Sequence, residues 1–183
     1  MVLTFVTGPA RAGKSRLAER LATATGFAIT YVATAPPRLD DPAWVERTAQ
    51  HAARRPAAWR FVETARLGAP ALEAMLSLAG ERETIVIDTL PAWLLERAGA
   101  ATEAAFNGAA ESFLAALGTT RAHVIVVGEE TGWDAAPADP AARLLRDAAG
   151  ALQARLAIAA ERAYLVVSGF ALDLRAQGRP IER

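Results

Sequence analysis

The chain contains no cysteine and only two histidines, His51 and His123, in 183 residues. Disulfides, thiolate–zinc sites and cysteine nucleophiles are therefore excluded, and a histidine-rich metal site has no material to form. An excess of one charge is also missing: Lys plus Arg and Asp plus Glu stand at 20 each, for a net charge of zero. Without a basic surplus there is no general pull toward nucleic acid or acidic membranes. Nucleic acid is not an expected partner, and any anion binding must come from a local site. No apolar run approaches the length of a membrane span. Met1 to Thr7 is apolar but shorter than the hydrophobic region and cleavage site of a leader, and it runs directly into glycine and charge. The cytoplasm is the expected compartment. Internal repeats and low-complexity linkers are absent; Pro36-Pro37 and Gly128 to Pro140 read as loops rather than boundaries. One domain over residues 1–183 is the expectation.

Hydrophobic residues make up 52% of the chain, and many are alanine. That composition supplies a core and favours helices packed closely on a sheet. Short β-branched runs alternate with alanine-rich stretches. Strands are expected at Val2 to Thr7, Ala28 to Ala33, Thr84 to Asp88, His123 to Val127 and Ala163 to Ser168, with a short extended piece at Trp59 to Glu63 and a last strand near Leu172. Helices are expected at Lys14 to Thr25 (Leu17 and Leu21 facing inward), Pro42 to Ala53, Leu67 to Ala79, Pro91 to Ala98, Glu103 to Leu117 and Ala141 to Ala160. Asp41 suits the N-cap of the second helix and Pro42 its first turn. The alternation predicts βαβ units and an α/β fold with a mostly parallel sheet, covered on both faces.

Gly8-Pro9-Ala10-Arg11-Ala12-Gly13-Lys14-Ser15 fits G-x-x-x-x-G-K-S/T in full. A buried strand precedes it and an amphipathic helix follows, which is the context such a loop requires. Its glycines let backbone N–H groups converge, and the helix N-terminus adds positive potential, so the segment reads as a phosphate-binding loop. Lys14 is expected to reach the β- and γ-phosphates, and Ser15 to ligate Mg²⁺. Asp88 ends a strongly apolar strand, as an acid that holds Mg²⁺ does; it also suits the N-cap of the helix near Leu90. Glu129 and Glu130 follow another strand, at the end where open α/β sheets bind ligands, and read either as metal or substrate contacts or as a solvated acidic loop.

Other side chains carry two readings each. His51, in Gln50-His51-Ala52-Ala53-Arg54-Arg55, is a polar residue at a helix end, a phosphate contact or a nucleophile. His123 opens a strand and reads as structural. Trp44, Trp59 and Trp93 suit core packing, or stacking on a flat substrate. Arg143, Arg146 and Asp147 share a helix face and suit either phosphate binding or a surface ion network.

Several segments together resemble the bifunctional adenosylcobinamide kinase / adenosylcobinamide-phosphate guanylyltransferase family of cobalamin biosynthesis. Phe5 to Arg16 looks like its VTGGARSGKSR, and Tyr31-Val32-Ala33-Thr34 like its Y-I/V-A-T. Arg47 to Glu63 follows its R-x-x-x-H-x-x-x-R-P-x-x-W-x-x-x-E, with His51 at the histidine. Asp88-Thr89-Leu90 fits the acid-bearing strand, Arg143 to Gly150 its RLFRDxxG, and Leu165 to Gly169 its LVVSG. The match runs in order along nearly the whole chain.

The resemblance implies a RecA-like P-loop NTPase fold and a homotrimer. It implies phosphorylation of adenosylcobinamide by ATP or GTP, then transfer of GMP from GTP to adenosylcobinamide phosphate through a guanylyl group on His51. Lys14 and His51 would be catalytic, and Ser15 and Asp88 would hold Mg²⁺. The nucleotide would contact Gly8, Pro9, Ala10, Arg11, Ala12, Gly13, Lys14 and Ser15, with Ala33, Thr34, Ala35, Ala52, Ala53, Arg54, Arg55, Glu63 and Asp88. The chain departs from the family pattern at Pro9, which lacks an N–H, at Ala12, where a serine hydroxyl is gone, and at Glu129, where an amide is usual. Gln153-Ala154 stands for the family's N-Q, and Ala52 for a basic residue. Two other readings remain compatible with the loop itself: a different small-molecule P-loop kinase with a structural His51, and a nucleotide-binding module without catalysis.

Overall fold

The computed structural model describes residues 2–68 and 70–181. Strands β1 (Val2–Thr7), β2 (Ala28–Ala33), β3 (Arg60–Glu63), β4 (Glu83–Asp88), β5 (His123–Val127), β6 (Arg162–Val167) and β7 (Phe170–Asp173) form one sheet in the order β3-β2-β4-β5-β1-β6-β7. All neighbours are parallel except β6 and β7. The expected α/β, mostly parallel P-loop architecture is therefore present. Strand β5 separates β1, which leads into the phosphate loop, from β4, which carries Asp88.

The helices are α1 (Lys14–Ala24), α2 (Pro42–Arg54), α3 (Thr64–Leu67), α4 (Ala71–Leu78), α5 (Leu90–Ala98), α6 (Glu103–Thr119), α7 (Pro140–Ala159) and α8 (Leu174–Gln177). No described helix is long and apolar enough to cross a membrane. Strand periodicity divides the core between the two faces of the sheet. Leu3, Phe5, Ile85, Ile87, Val124 and Val126 point to one face, where they meet Leu72, Trp93, Phe113 and Leu152 from α4 to α7. Val6, Val86, Ile125 and Val127 point to the other, beneath Ala18 and Ala22 of α1. Each fully buried large side chain contributes about 1.5–3 kcal/mol, and the Trp93 and Phe113 rings add a direct contact at 4.8 Å between centroids.

Three local expectations change. Leu17 and Leu21 flank the inner face of α1, whereas Ala18 and Ala22 form it; alanine lets the helix sit close on the sheet. The helix expected from Leu67 to Ala79 is instead α3 and α4. Gly68, at φ +80°, breaks the backbone, and Pro70, which lacks an N–H, precedes the new helix; Ala69 lies outside the described residues. The loop from Gly128 to Pro140 contains one 3-10 turn, Thr131–Trp133. Near the C-terminus, Ser168 (φ +50°) and Gly169 (φ +83°) make a two-residue hairpin between β6 and β7. Successive left-handed residues suit such a tight antiparallel turn.

Candidate active site

The parallel strands end together. Glu63 pairs with Ala33, Ala33 with Asp88 and Asp88 with Val127, so the acid-bearing strand ends lie in one row. Strand β1 ends beside them and turns at Gly8. Gly8 has φ +147°, and a Cβ built there would lie 2.1 Å from the Val166 carbonyl oxygen. Only glycine lets the loop leave β1 against β6. Gly13, at φ +108°, precedes α1 as its N-cap, and Arg11 also takes a left-handed conformation at φ +59°. The loop therefore brings its backbone round to the helix N-terminus, which favours bound anions.

Lys14 is 7% exposed. Its Nζ donates to the Pro9 carbonyl at 2.8 Å and lies 3.9 Å from Glu129 Oε1. Burial lowers its pKa from the ordinary lysine value, while Glu129 and then Asp88 oppose that shift. Two of the departures from the family pattern acquire roles here. Pro9 lacks an N–H but offers the carbonyl that receives the lysine, and Glu129 supplies a counter-charge. Ala12 packs with Val6, Ala18 and Val166.

The loop after β5 is held by a polar cluster. Thr7 Oγ1 donates to Glu130 Oε1 at 2.7 Å, and Gln153 bridges the Glu129 backbone through Glu129 N to Gln153 Oε1 (2.8 Å) and Gln153 Nε2 to Glu129 O (3.1 Å). A Cβ at Gly128 would meet Gln153 Oε1 at 2.1 Å, so a side chain there would displace this cluster. Glu129 thus faces the loop lysine, whereas Glu130 is tied to Thr7. Asp88 accepts a hydrogen bond from the Tyr31 hydroxyl. Burial and the neighbouring carboxylate push the Tyr31 phenol well above its ordinary range, so it stays a donor. The N-cap of α5 is Thr89, not Asp88, which leaves Asp88 to the strand-end row.

Helix α2 starts where Asp41 Oδ1 accepts from the Ala43 and Trp44 amides at 3.0 and 3.2 Å. It buries none of its own residues. Its C-terminal end is tied to α1 by a two-point contact: Arg54 Nε and a terminal guanidinium nitrogen each lie 3.2 Å from the Glu19 carboxylate. Arg54 is one turn beyond His51, so this pair fixes the helix end that carries the histidine. Burial lowers the His51 pKa below its ordinary 6.5; Arg54 and Arg47 act in the same direction, while Asp88 and Glu19 oppose them. The imidazole is therefore predominantly neutral at pH 7. Glu19→Gln should cost about 1–2 kcal/mol, because it removes a charge-assisted contact that is partly screened by solvent at Arg54. Denaturant unfolding reads this; an unchanged free energy would show that the pair contributes nothing.

These elements enclose a cleft of about 820 Å³. Of the residues expected in the site, Arg11 to Ser15, His51, Arg54 and Asp88 line it. Val166, Gly169 and Phe170 form another wall. The structure does not bring every expected contact to that wall. Thr34 is fully buried and exchanges hydrogen bonds with the Thr89 backbone, at 2.6 Å to Thr89 O and 2.7 Å from Thr89 N. Its neighbours Ala33 and Ala35 belong to the same strand exit. Glu63 pairs with Arg66 at 2.6 Å, and Arg55 lies over the Tyr31 and Phe61 rings at 4.6 and 4.1 Å. Ala52 and Ala53 are exposed on α2 beside His51.

The other candidates resolve into packing. His123 meets Phe27 edge to face at 4.9 Å, Trp59 stacks near Tyr31, and Trp93 is in the core. Trp44 lies under Arg38 and Arg47. Arg143 donates to the Pro137 and Ala138 carbonyls, and Arg146 pairs with Asp147. Sequence reasoning missed Glu19. The available signal was a carboxylate beside Ala18 and Ala22, on the face of α1 that the helical period buries.

Comparison with known proteins gives a consistent result. The family model for cobinamide kinase / cobinamide phosphate guanyltransferase matches residues 4–174. The bifunctional adenosylcobalamin biosynthesis protein CobP of Pseudomonas aeruginosa is 36% identical over 180 residues, covering 97% of this chain and 98% of that protein. The corresponding CobU proteins are similar too. That of Salmonella typhimurium is 33% identical and that of Escherichia coli 31%, each covering 95% of this chain and 100% of the relative.

Proposed function

The chain belongs to the cobinamide kinase / cobinamide phosphate guanyltransferase family of cobalamin biosynthesis, and we propose that His51 is the nucleophile that carries GMP between GTP and cobinamide phosphate. The observation that carries this reading is a half-buried imidazole on the wall of the cleft that also holds the phosphate loop; burial lowers its pKa, which favours the neutral form. The neutral ring nitrogen attacks the α-phosphorus of GTP. A P–N bond forms, the bond to the bridging oxygen breaks, and pyrophosphate leaves with its electron pair. The ring sheds the proton on its other nitrogen to solvent. In the second step a phosphate oxygen of cobinamide phosphate attacks the same phosphorus, the P–N bond breaks, and the departing imidazole takes up a proton from solvent.

The kinase step uses the same loop. Lys14 and the backbone N–H groups hold the phosphates of ATP or GTP, and the cobinamide hydroxyl attacks the γ-phosphorus. Ser15 and Asp88 are hard oxygen donors that line the same cleft, a set that fits Mg²⁺ completed by nucleotide phosphates. The ion, when bound by them, neutralises phosphate charge. Gly8, Pro9, Ala10, Arg11, Ala12 and Gly13 supply the loop, and Arg54 lines the same cleft; Ala33, Thr34, Ala35, Ala52, Ala53, Arg55 and Glu63 do not line it and enter this reading through the family resemblance alone. A single domain and a cytoplasmic location, read from length and composition, and a homotrimeric assembly, implied by the family resemblance, belong to the same reading.

GTP labelled at the α-phosphate should leave an acid-labile adduct that maps to His51; label elsewhere, or none, would remove the assignment. The rate of labelling should be pH-dependent in a definite sense. Protonation silences the nucleophile, so the rate falls as pH falls through the His51 pKa. That pKa is lowered by burial, which puts the midpoint below 6.5. A midpoint at or above that value would contradict these surroundings.

A further inference from the structure

The cleft carries more cationic side chains than the phosphate loop uses. Arg16 and Arg20 stand one turn apart on α1, and Arg47 stands one turn before His51 on α2; all three line the same cavity as the histidine. None has a carboxylate partner among the described residues. The nearest acid on α1, Glu19, is taken by Arg54. Of the carboxylates on the cleft wall, one faces a cation and two accept from neutral donors and keep their charge. Asp88 accepts from Tyr31, Glu129 faces Lys14 at 3.9 Å, and Glu46 accepts from Gln50 Nε2 at 3.2 Å. Arg47 rests over the Trp44 ring, 5.4 Å from its centroid, an orienting contact that leaves its charge uncompensated. Among the residues lining the cavity, Arg11, Lys14, Arg16, Arg20, Arg47 and Arg54 outnumber Glu46, Asp88 and Glu129, which leaves a positive excess, and guanidinium geometry matches phosphate oxygens.

We propose that Arg16, Arg20 and Arg47 form a second phosphate seat, separate from the phosphate loop, which takes the phosphomonoester of the acceptor. The proposal rests on the reading that His51 carries GMP. The nucleotide's phosphates already have Lys14, Ser15 and the loop amides. Once GMP is on His51, the attacking species is a second anion, and phosphate approaching phosphate meets strong repulsion. The guanidiniums offset that repulsion and aim the attacking oxygen at the phosphorus. They also distinguish cobinamide phosphate from cobinamide, because the unphosphorylated compound offers them no anion.

The test separates the two halves of the transfer. Arg47 is left intact, because its charge also acts on His51. In an R16Q/R20Q variant, labelling of His51 by GTP should proceed as in the parent, which also reports that the protein is folded. Discharge of the isolated adduct by cobinamide phosphate should slow by about tenfold or more, with the loss in KM for the acceptor. Parallel slowing of labelling would assign the arginines to the triphosphate or departing pyrophosphate, and no change in either step would make them solvent-facing charges; both overturn the proposal. Calorimetry reads the seat without any adduct. The affinity advantage of cobinamide phosphate over cobinamide should shrink about tenfold in the variant. If it does not, the seat is wrong; if it does while the parent forms no adduct, the His51 assignment alone fails.

Discussion

His51→Ala should reduce GMP transfer to cobinamide phosphate by on the order of 10³-fold or more, while phosphorylation of cobinamide persists. The size follows from what is lost. With the imidazole gone, the acceptor phosphate must attack GTP directly, anion against anion, with no intermediate to divide the barrier. The asymmetry follows from geometry. Lys14 takes its position from the Pro9 carbonyl and Glu129, and Asp88 from Tyr31; none of these contacts passes through His51. Helix α2 buries none of its residues, so shortening one of its side chains disturbs little of the core. Separate assays of the two half-activities check this. Equal loss of both would place His51 in the shared phosphate machinery instead.

Lys14→Ala should lower both activities, each by about 10²–10³-fold, because one cation serves the triphosphate in either reaction. On the proposed reading, the buried ammonium would sit where charge develops on transferring or departing phosphate oxygens. Its removal also leaves Glu129 facing that charge with nothing to offset it. Steady-state kinetics of phosphorylation and rates of His51 labelling give the two numbers. A variant that lost phosphorylation but labelled His51 at the parental rate would show that the loop lysine does not serve GTP in the guanylyl step. Together the two substitutions predict a one-sided and a two-sided phenotype, and the contrast is more diagnostic than either loss alone.

The phosphate loop and the parallel sheet were legible in the sequence. A G-x-x-x-x-G-K-S segment between an apolar strand and a helix carries its function in local order. Strands β1, β2 and β5 fall where the β-branched runs place them. The break between α3 and α4 was less legible. Alanine and leucine continue the helical pattern across Gly68 and Pro70, and the backbone requirements of those two residues override it. On the residues alone, His51 was a helix-end histidine like many others. The family pattern marked it as a nucleophile; the fold places it on the cleft wall with a pKa lowered by burial.

By itself, then, the sequence determined that a triphosphate cradle lies between β1 and α1 and that an acid ends β4, because those features depend on neighbours along the chain. It also determined the family, through motifs spread in order from the phosphate loop to the last hairpin. Tertiary structure decided which side chains meet. Glu19 and Arg54 are 35 residues apart, Tyr31 and Asp88 are 57 apart, and Thr7 and Glu130 are 123 apart. No periodicity links such pairs; they form because the sheet brings strand ends into one row and because α2 returns across α1. The same closure leaves Arg16, Arg20 and Arg47 facing one cavity without carboxylate partners among the described residues. In the sequence they are three arginines among many, and only the fold collects their charge beside His51.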